Sequence, residues 1–263
     1  NDNQYLHFRD ALNQEIAKDL NVDTMGSEPC ILFIDGEFWG FYMLRERVDA
    51  DYLEAHYGLD KDDVTVIKNG QLDDGLETEL EEFKQFCVWA VSANMANPLN
   101  YEKFCNTVDI QSFMDYMTVE TYINNSDWAS TGVNNWQAWR SKTVHSDIPE
   151  ANGKWRFVLY DTDISDGLYN SEKNIANYDS LGNNGPKSQY YNFPLILKNL
   201  IRNSEFRQQF YDNYVKIINT TFDKTRVNNI ITEYVNAYEA VTNDTLNRFG
   251  LGWAANSYSK EVQ

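Results

Sequence analysis

Oxygen-bearing side chains crowd into one stretch of the chain, from Asn124 to Gly167. Asn124-Asn125-Ser126-Asp127 follows a helical pattern, Asn134-Asn135 opens a strand-like run, and Asp161-Thr162-Asp163 closes another, with Ser165-Asp166-Gly167 behind it. Such groups suit a hard cation. Magnesium takes oxygen ligands in octahedral order, keeps several waters, and needs only one or two carboxylates from the protein. If Trp136 to Trp139 pairs with Trp155 to Tyr160 as a second strand, the two Asn residues come near Asp161. Strand alternation turns Asp161 and Asp163 to the same face, where carboxylates repel unless a cation or proton lies between them. Phosphoryl transfer needs such a set: metal clamps, cations for phosphate, and a carboxylate that orients a hydroxyl nucleophile. The order of carboxylate, amide, then carboxylate after a hairpin is the order of kinase active sites. On that reading Asp127 lies near the nucleophile, while Asn134 or Asn135 and Asp161, with Asp163, hold metal. The same residue types also end helices and cap turns, which is the competing structural reading. A calcium-stabilised structural site at Asp161, Asp163 and Asp166 is a further alternative.

Composition narrows the field. The chain has 263 residues, 42% of them hydrophobic, enough for a sizeable core in one large domain or in two lobes sharing a cleft. The net charge of -18 sets it against the phosphate backbone of nucleic acid, though local cations can still receive a magnesium–nucleotide complex. Cys30, Cys87 and Cys105 are odd in number and show no metal-ligand spacing, and His7, His56 and His145 are scattered, so neither a disulfide framework nor a zinc site is expected. No apolar run approaches the length of a membrane span. Aromatic residues make up 14% and read first as core and cleft wall.

The elements that must position these groups follow from periodicity. Phe8, Leu12, Ile16 and Leu20 mark an amphipathic helix. Cys30 to Ile34, the turn Asp35-Gly36 and Phe38 to Leu44 form a hairpin. Asp49 to Tyr57 reads as a helix stopped by Gly58, and Val64 to Ile67 as a strand running into Lys68-Asn69-Gly70. Leu76, Leu80, Phe83, Cys87 and Ala90 define one face of a helix whose Glu77, Glu79, Glu81 and Glu82 are expected to be a solvated start. Gln111 to Asn124 is helical, Asn170 to Asn192 is a long surface loop, and Val227 to Val241 carries a helical stripe. Strands come first and helices later, an α+β pattern.

The run from Pro29 to Glu46, PCILFIDGEFWGFYMLRE, resembles the signature of the CotH kinase family, named for a spore-coat protein. It has an apolar strand, an Asp-Gly-Glu turn, an aromatic-Gly-aromatic-Tyr step and a following Glu. Arg9-Asp10, the Asp161-Thr162-Asp163 ending and Asn203-Ser-Glu-Phe-Arg207 fit the same pattern. The resemblance spans about Phe8 to Trp253. It implies an atypical protein-kinase-like α+β fold, with a strand-rich N-lobe-like part over residues 1–75. A larger, mainly helical C-lobe-like part over 76–263 carries the metal site on a β-hairpin. It implies transfer of the ATP γ-phosphoryl group, with Mg2+ or Mn2+, to Ser or Thr of a protein substrate, by a secreted or cell-surface bacterial protein. Asp127 then resembles the catalytic-loop Asp, Asn134 or Asn135 the metal-binding Asn, and Asp161 the metal Asp. Glu46 is the candidate partner of a phosphate-binding cation, and Lys68 a candidate phosphate contact. Two departures stand out. The spacing from Asp127 to Asn134 is wider than in protein-kinase catalytic loops. Family members also carry upstream a Gly/Ser-rich stretch with basic residues, so as this sequence stands its nucleotide site is expected to be incomplete, and the chain weak or inert. The alternative function is a non-catalytic extracellular binding or scaffold module of a polysaccharide-degrading system, touching glycans or cell-surface components through its aromatic residues.

Overall fold

A computed structural model describes residues 8–128, 134–167 and 190–250. Helix α1 (Arg9–Ala17) leads into strands β1 (Ser27–Ile34) and β2 (Glu37–Arg45), which pair antiparallel as a two-stranded ribbon. Both turn residues adopt left-handed backbone, Asp35 at φ 52° and Gly36 at φ 82°, as a two-residue hairpin turn demands. Helix α2 (Ala50–Tyr57) starts where the Asp49 carboxylate accepts from the Tyr52 N–H at 3.1 Å and stops at left-handed Gly58. Strand β3 (Val64–Lys68) turns through Asn69-Gly70 into β4 (Gln71–Asp74), a strand the periodicity does not announce.

Helices α3 (Glu77–Ser92), α4 (Pro98–Thr107) and α5 (Ile110–Tyr122) precede the second hairpin, β5 (Gln137–Ser141) and β6 (Arg156–Val158). Helices α6 (Phe193–Leu200), α7 (Ser204–Thr220) and α8 (Lys224–Arg248) follow. The expectation of a solvated acidic start to α3 needs one correction. Glu77, Glu81 and Glu82 are exposed, but Glu79 is buried, and its carboxylate accepts the Leu76 N–H at 2.8 Å, closing the helix end. The expected loop over 170–192 falls almost wholly outside the described residues.

Strand β5 pairs antiparallel with β6, Gln137 facing Val158, as expected, and on its other side with β3, Gln137 facing Lys68. The sheet order β4-β3-β5-β6 therefore lays the ends of β3 and β6 beside each other's neighbour, the arrangement that gathers the site. Beneath it lies an aromatic core. The Phe157 ring packs against Tyr116 (centroids 4.8 Å apart), Phe193 (5.1 Å) and Phe113 (5.4 Å). Burial of such rings is the dominant favourable contribution to folding.

The β1–β2 ribbon has no further strand among the described residues. It rests on α8. The Phe41 N–H donates to Thr245 Oγ1 at 2.7 Å, the Phe41 and Tyr238 ring centroids lie 5.0 Å apart, and Arg248 Nε donates to the Phe38 carbonyl at 2.9 Å. Gly40 is the close approach. Its φ is 114°, and a Cβ there would come within 2.9 Å of Thr245 Cγ2.

Candidate active site

Three residues past the end of β6, Asp161 turns into left-handed backbone at φ 53°. The expected strand alternation therefore does not reach Asp161 and Asp163, because the ladder stops at Val158. Their carboxyls meet all the same, sharing a hydrogen bond. What fixes the loop is α1. Asp10 Oδ1 accepts from Thr162 N at 2.5 Å and from Thr162 Oγ1 at 2.8 Å, while its Oδ2 pairs with the Arg45 guanidinium. Asn13 Nδ2 donates to Ser165 Oγ at 2.9 Å and toward Asp166 Oδ2 at 3.1 Å, and Gln14 Nε2 to the Leu159 carbonyl at 2.9 Å.

Burial, then the charges of Asp163 and Asp10, push the Asp161 carboxyl up from 3.8 to about 6; the nearby Arg45 opposes them. A carboxyl held there is one that a cation or a proton must balance.

Helix α5 ends at Tyr122, the chain turns through left-handed Asn124 at φ 51°, and it then enters Asn125-Ser126-Asp127. This segment is zipped to the Asp161 loop: Ser126 N donates to the Ile164 carbonyl at 2.9 Å and Asp166 N to the Ile123 carbonyl at 2.7 Å. The Asp127 N–H donates to Asn125 Oδ1 at 3.2 Å, and Asp127 Oδ2 accepts from Asn135 Nδ2 at 3.4 Å. Asn135 is buried with φ 56°, whereas Asn134 is exposed. The loop joining Asp127 to Asn134 runs through residues 129–133, outside the described residues.

Below that loop Glu120 is fully buried. The Asn125 amide and Tyr116 hydroxyl stand beside its carboxyl without reaching ordinary hydrogen-bond geometry. Burial above all, with the Asp10 and Asp161 charges adding to it, pushes this carboxyl well above the usual range and favours its protonated form.

A cavity of about 300 Å³ opens beside Asp161, lined by Arg45, Glu46, Arg47, Lys68, Gln137 and Tyr160 among others. Three cations and two carboxylates thus share one small space in a chain of net charge -18. Lys68 lies with its ammonium 4.3 Å from the Tyr160 ring centroid, a cation–π contact. Glu46 shares the cavity wall with Lys68, but its partners are elsewhere. Oε1 meets His56 Nε2 at 2.8 Å and Oε2 accepts the Gly26 N–H at 2.7 Å. Burial raises the Glu46 carboxyl, and the His56 and Gly26 hydrogen bonds outweigh it, leaving the group below its ordinary value. Asp127, Asn134 and Asn135 stand outside the lining of this cavity.

Among the described residues no group of three or more His, Cys, Asp or Glu side chains converges as a ready-made metal cluster. The donor set still fits magnesium or manganese. Asp161 and Asp163 offer paired oxygens, the Asn135 amide borders the neighbouring loop, and such ions draw their remaining ligands from water and phosphate.

Sequence reasoning marked Asp10 only as part of the Arg9-Asp10 match, and assigned no role to Glu120 or to Gly26 and His56 as partners of Glu46. Asp10 and Glu120 sit within helical stripes, and nothing in local spacing separates a buried acid with a distant partner from a solvated one.

The chain matches the CotH kinase protein family over residues 1–263, its whole length. It belongs to the CotH kinase family. No curated protein matches it. The mixed helices and small antiparallel sheets are consistent with a kinase-like CotH fold. For this CotH kinase chain, family membership supports an atypical kinase with ATP, a divalent metal and a protein substrate in general terms. No described helix is long and apolar enough to cross a membrane.

Proposed function

We propose that this CotH family chain transfers the γ-phosphoryl group of ATP to a Ser or Thr hydroxyl of a protein substrate. The observation that supports the reading is the cavity lined by Arg45, Arg47 and Lys68 together with Asp161, whose carboxyl is raised to about 6 beside Asp163. Polyphosphate suits the cations. The carboxyl pair, with Asn135 or Asn134, would hold a divalent ion, which when bound neutralises phosphate charge. Asp127 orients the substrate hydroxyl and takes its proton. The hydroxyl oxygen bonds to the γ-phosphorus as the bond to the β–γ bridging oxygen breaks, and ADP leaves. Asn135, whose amide donates to Asp127 at 3.4 Å, would hold that carboxylate in place.

Glu46 has a different place in this reading from a direct partner of Lys68. It lines the same cavity as Lys68 and is anchored there by His56 and Gly26. Export to the cell surface of a bacterium belongs to the same proposal and rests on family likeness; fractionation that leaves the native protein inside the cell would remove it.

The test is thermal protection by ATP with Mg2+ or Mn2+, together with label transfer from γ-labelled ATP to protein. Asp161→Ala should abolish both. Asp127→Ala should keep the protection and lose transfer by about 100-fold or more. Wild-type protein that shows neither protection nor transfer would remove the kinase reading.

A further inference from the structure

We infer that Asp10 is the positioning residue of the Asp161-Thr162-Asp163 loop, holding the proposed metal carboxylates in register with the cavity wall at Arg45. This rests on the reading of Asp161 and Asp163 as metal-side groups and adds to it the residue that places them.

Asp10 is 1% exposed, in the first turn of α1, and lies 152 positions before Thr162 in sequence. A buried carboxylate is tolerated only where donors surround it. Here the donors come from two directions. Thr162 supplies its backbone N–H and its hydroxyl, and Arg45, at the end of β2, supplies a guanidinium. Thr162 is fully buried and stands between the two metal-side carboxylates, so grasping it from behind leaves Asp161 and Asp163 on either side of the fixed point. The left-handed backbone of Asp161 is a conformation non-glycine residues seldom hold unless neighbours over-determine it, and the grip on the next residue is such a constraint. Arg45 has a second role, because it also lines the cavity. One carboxylate therefore ties the wall that faces phosphate to the loop that faces metal. Asp10 touches neither ligand; it acts through Thr162 and Arg45.

The experiment compares wild type, Asp10→Ala and Thr162→Val. Two quantities are read: hydrogen exchange at the Thr162 amide without ligand, and the affinity for Mn2+–ATP beside that for metal-free ATP. Removal of outer groups that orient ligands weakens metal binding by about 10- to 100-fold, and that loss is expected for Mn2+–ATP in Asp10→Ala, with metal-free ATP changed less than about threefold. The Thr162 amide should exchange about tenfold faster or more in Asp10→Ala, a local opening rather than global unfolding. Thr162→Val preserves shape and removes only the hydroxyl, so it carries the test if Asp10→Ala does not fold; a smaller loss of Mn2+–ATP affinity in the same direction is expected. Unchanged exchange in Asp10→Ala, or unchanged Mn2+–ATP affinity in Thr162→Val and any folded Asp10→Ala protein, overturns the inference. Wild type that fails to bind Mn2+–ATP overturns the kinase reading instead, and the exchange measurement still decides whether Asp10 holds the loop.

Discussion

Acidification should weaken divalent-cation binding before it unfolds the protein. The Asp161 carboxyl stands at about 6, against an ordinary 3.8, because it is buried and faces the charges of Asp163 and Asp10. A cation must find this oxygen bare. With a pKa near 6 the carboxylate is bare in roughly nine molecules of ten at about pH 7 and in roughly one of ten at about pH 5. Apparent affinity for Mn2+–ATP should therefore fall about tenfold across those two units, with a slope approaching one decade per unit below about pH 6. An unperturbed aspartate would give a flat profile over the same range. Removing the neighbouring charge with Asp163→Asn should lower the Asp161 pKa and flatten the slope, whatever it does to affinity overall. Isothermal titration at constant ionic strength over this range measures the slope directly. A wild-type affinity that stays level from about pH 7 to about pH 5 would refute the account of Asp161.

Without metal, the same carboxyl gives a linkage of known sign. Its folded-state pKa is raised, so the folded protein binds more protons than the unfolded chain between 3.8 and about 6, and stability from this group falls as pH rises through that window; calorimetry should show Mn2+ with ATP offsetting the fall. Glu120→Gln should be tolerated and should gain on wild type as pH rises above the ordinary carboxyl range, because burial raises the folded-state pKa of the carboxyl and the variant has no proton to lose; a large drop in melting temperature at neutral pH would contradict this. Gly40→Ala should cost about 1–3 kcal/mol through overpacking against Thr245 and strain at φ 114°, read as a shift in denaturant midpoint. Phe157→Ala, which removes a fully buried ring touching Tyr116, Phe113 and Phe193, should cost about 3–5 kcal/mol in the same assay.

The elements legible in the sequence are those whose signals are local. Asp49 and Gly58 mark both ends of α2, Asp35-Gly36 dictates the first hairpin, and the stripe from Val227 to Val241 belongs to α8. The pairing of β5 with β6 was also readable, because two aromatic-rich runs flank a turn-forming segment. Strand β4 was not. It spans four mostly polar residues, and its place comes from the Asn69-Gly70 turn and from Asp74, which accepts the Ala50 N–H at 3.0 Å. In the site, the closeness of Asp161 and Asp163 was legible while the reason for it was not, since their loop is shaped by contacts to α1 and not by a pleat. Asp10 and Glu46 illustrate the limit. Each is an acid whose role is set by partners far along the chain or in a separate element, and a charge pattern carries no record of them.

The ribbon's seat on α8 gives the far end of the chain leverage over the cavity. Strand β2 is clasped midway by Thr245 and Tyr238, and a few residues further on it delivers Arg45, with Glu46 and Arg47 just beyond. A ribbon of two strands has little stability of its own, so the position of the cationic wall depends on how the ribbon is seated on α8. Substitutions at Tyr238 or Thr245 would thus reach the cavity through the ribbon, without lining it.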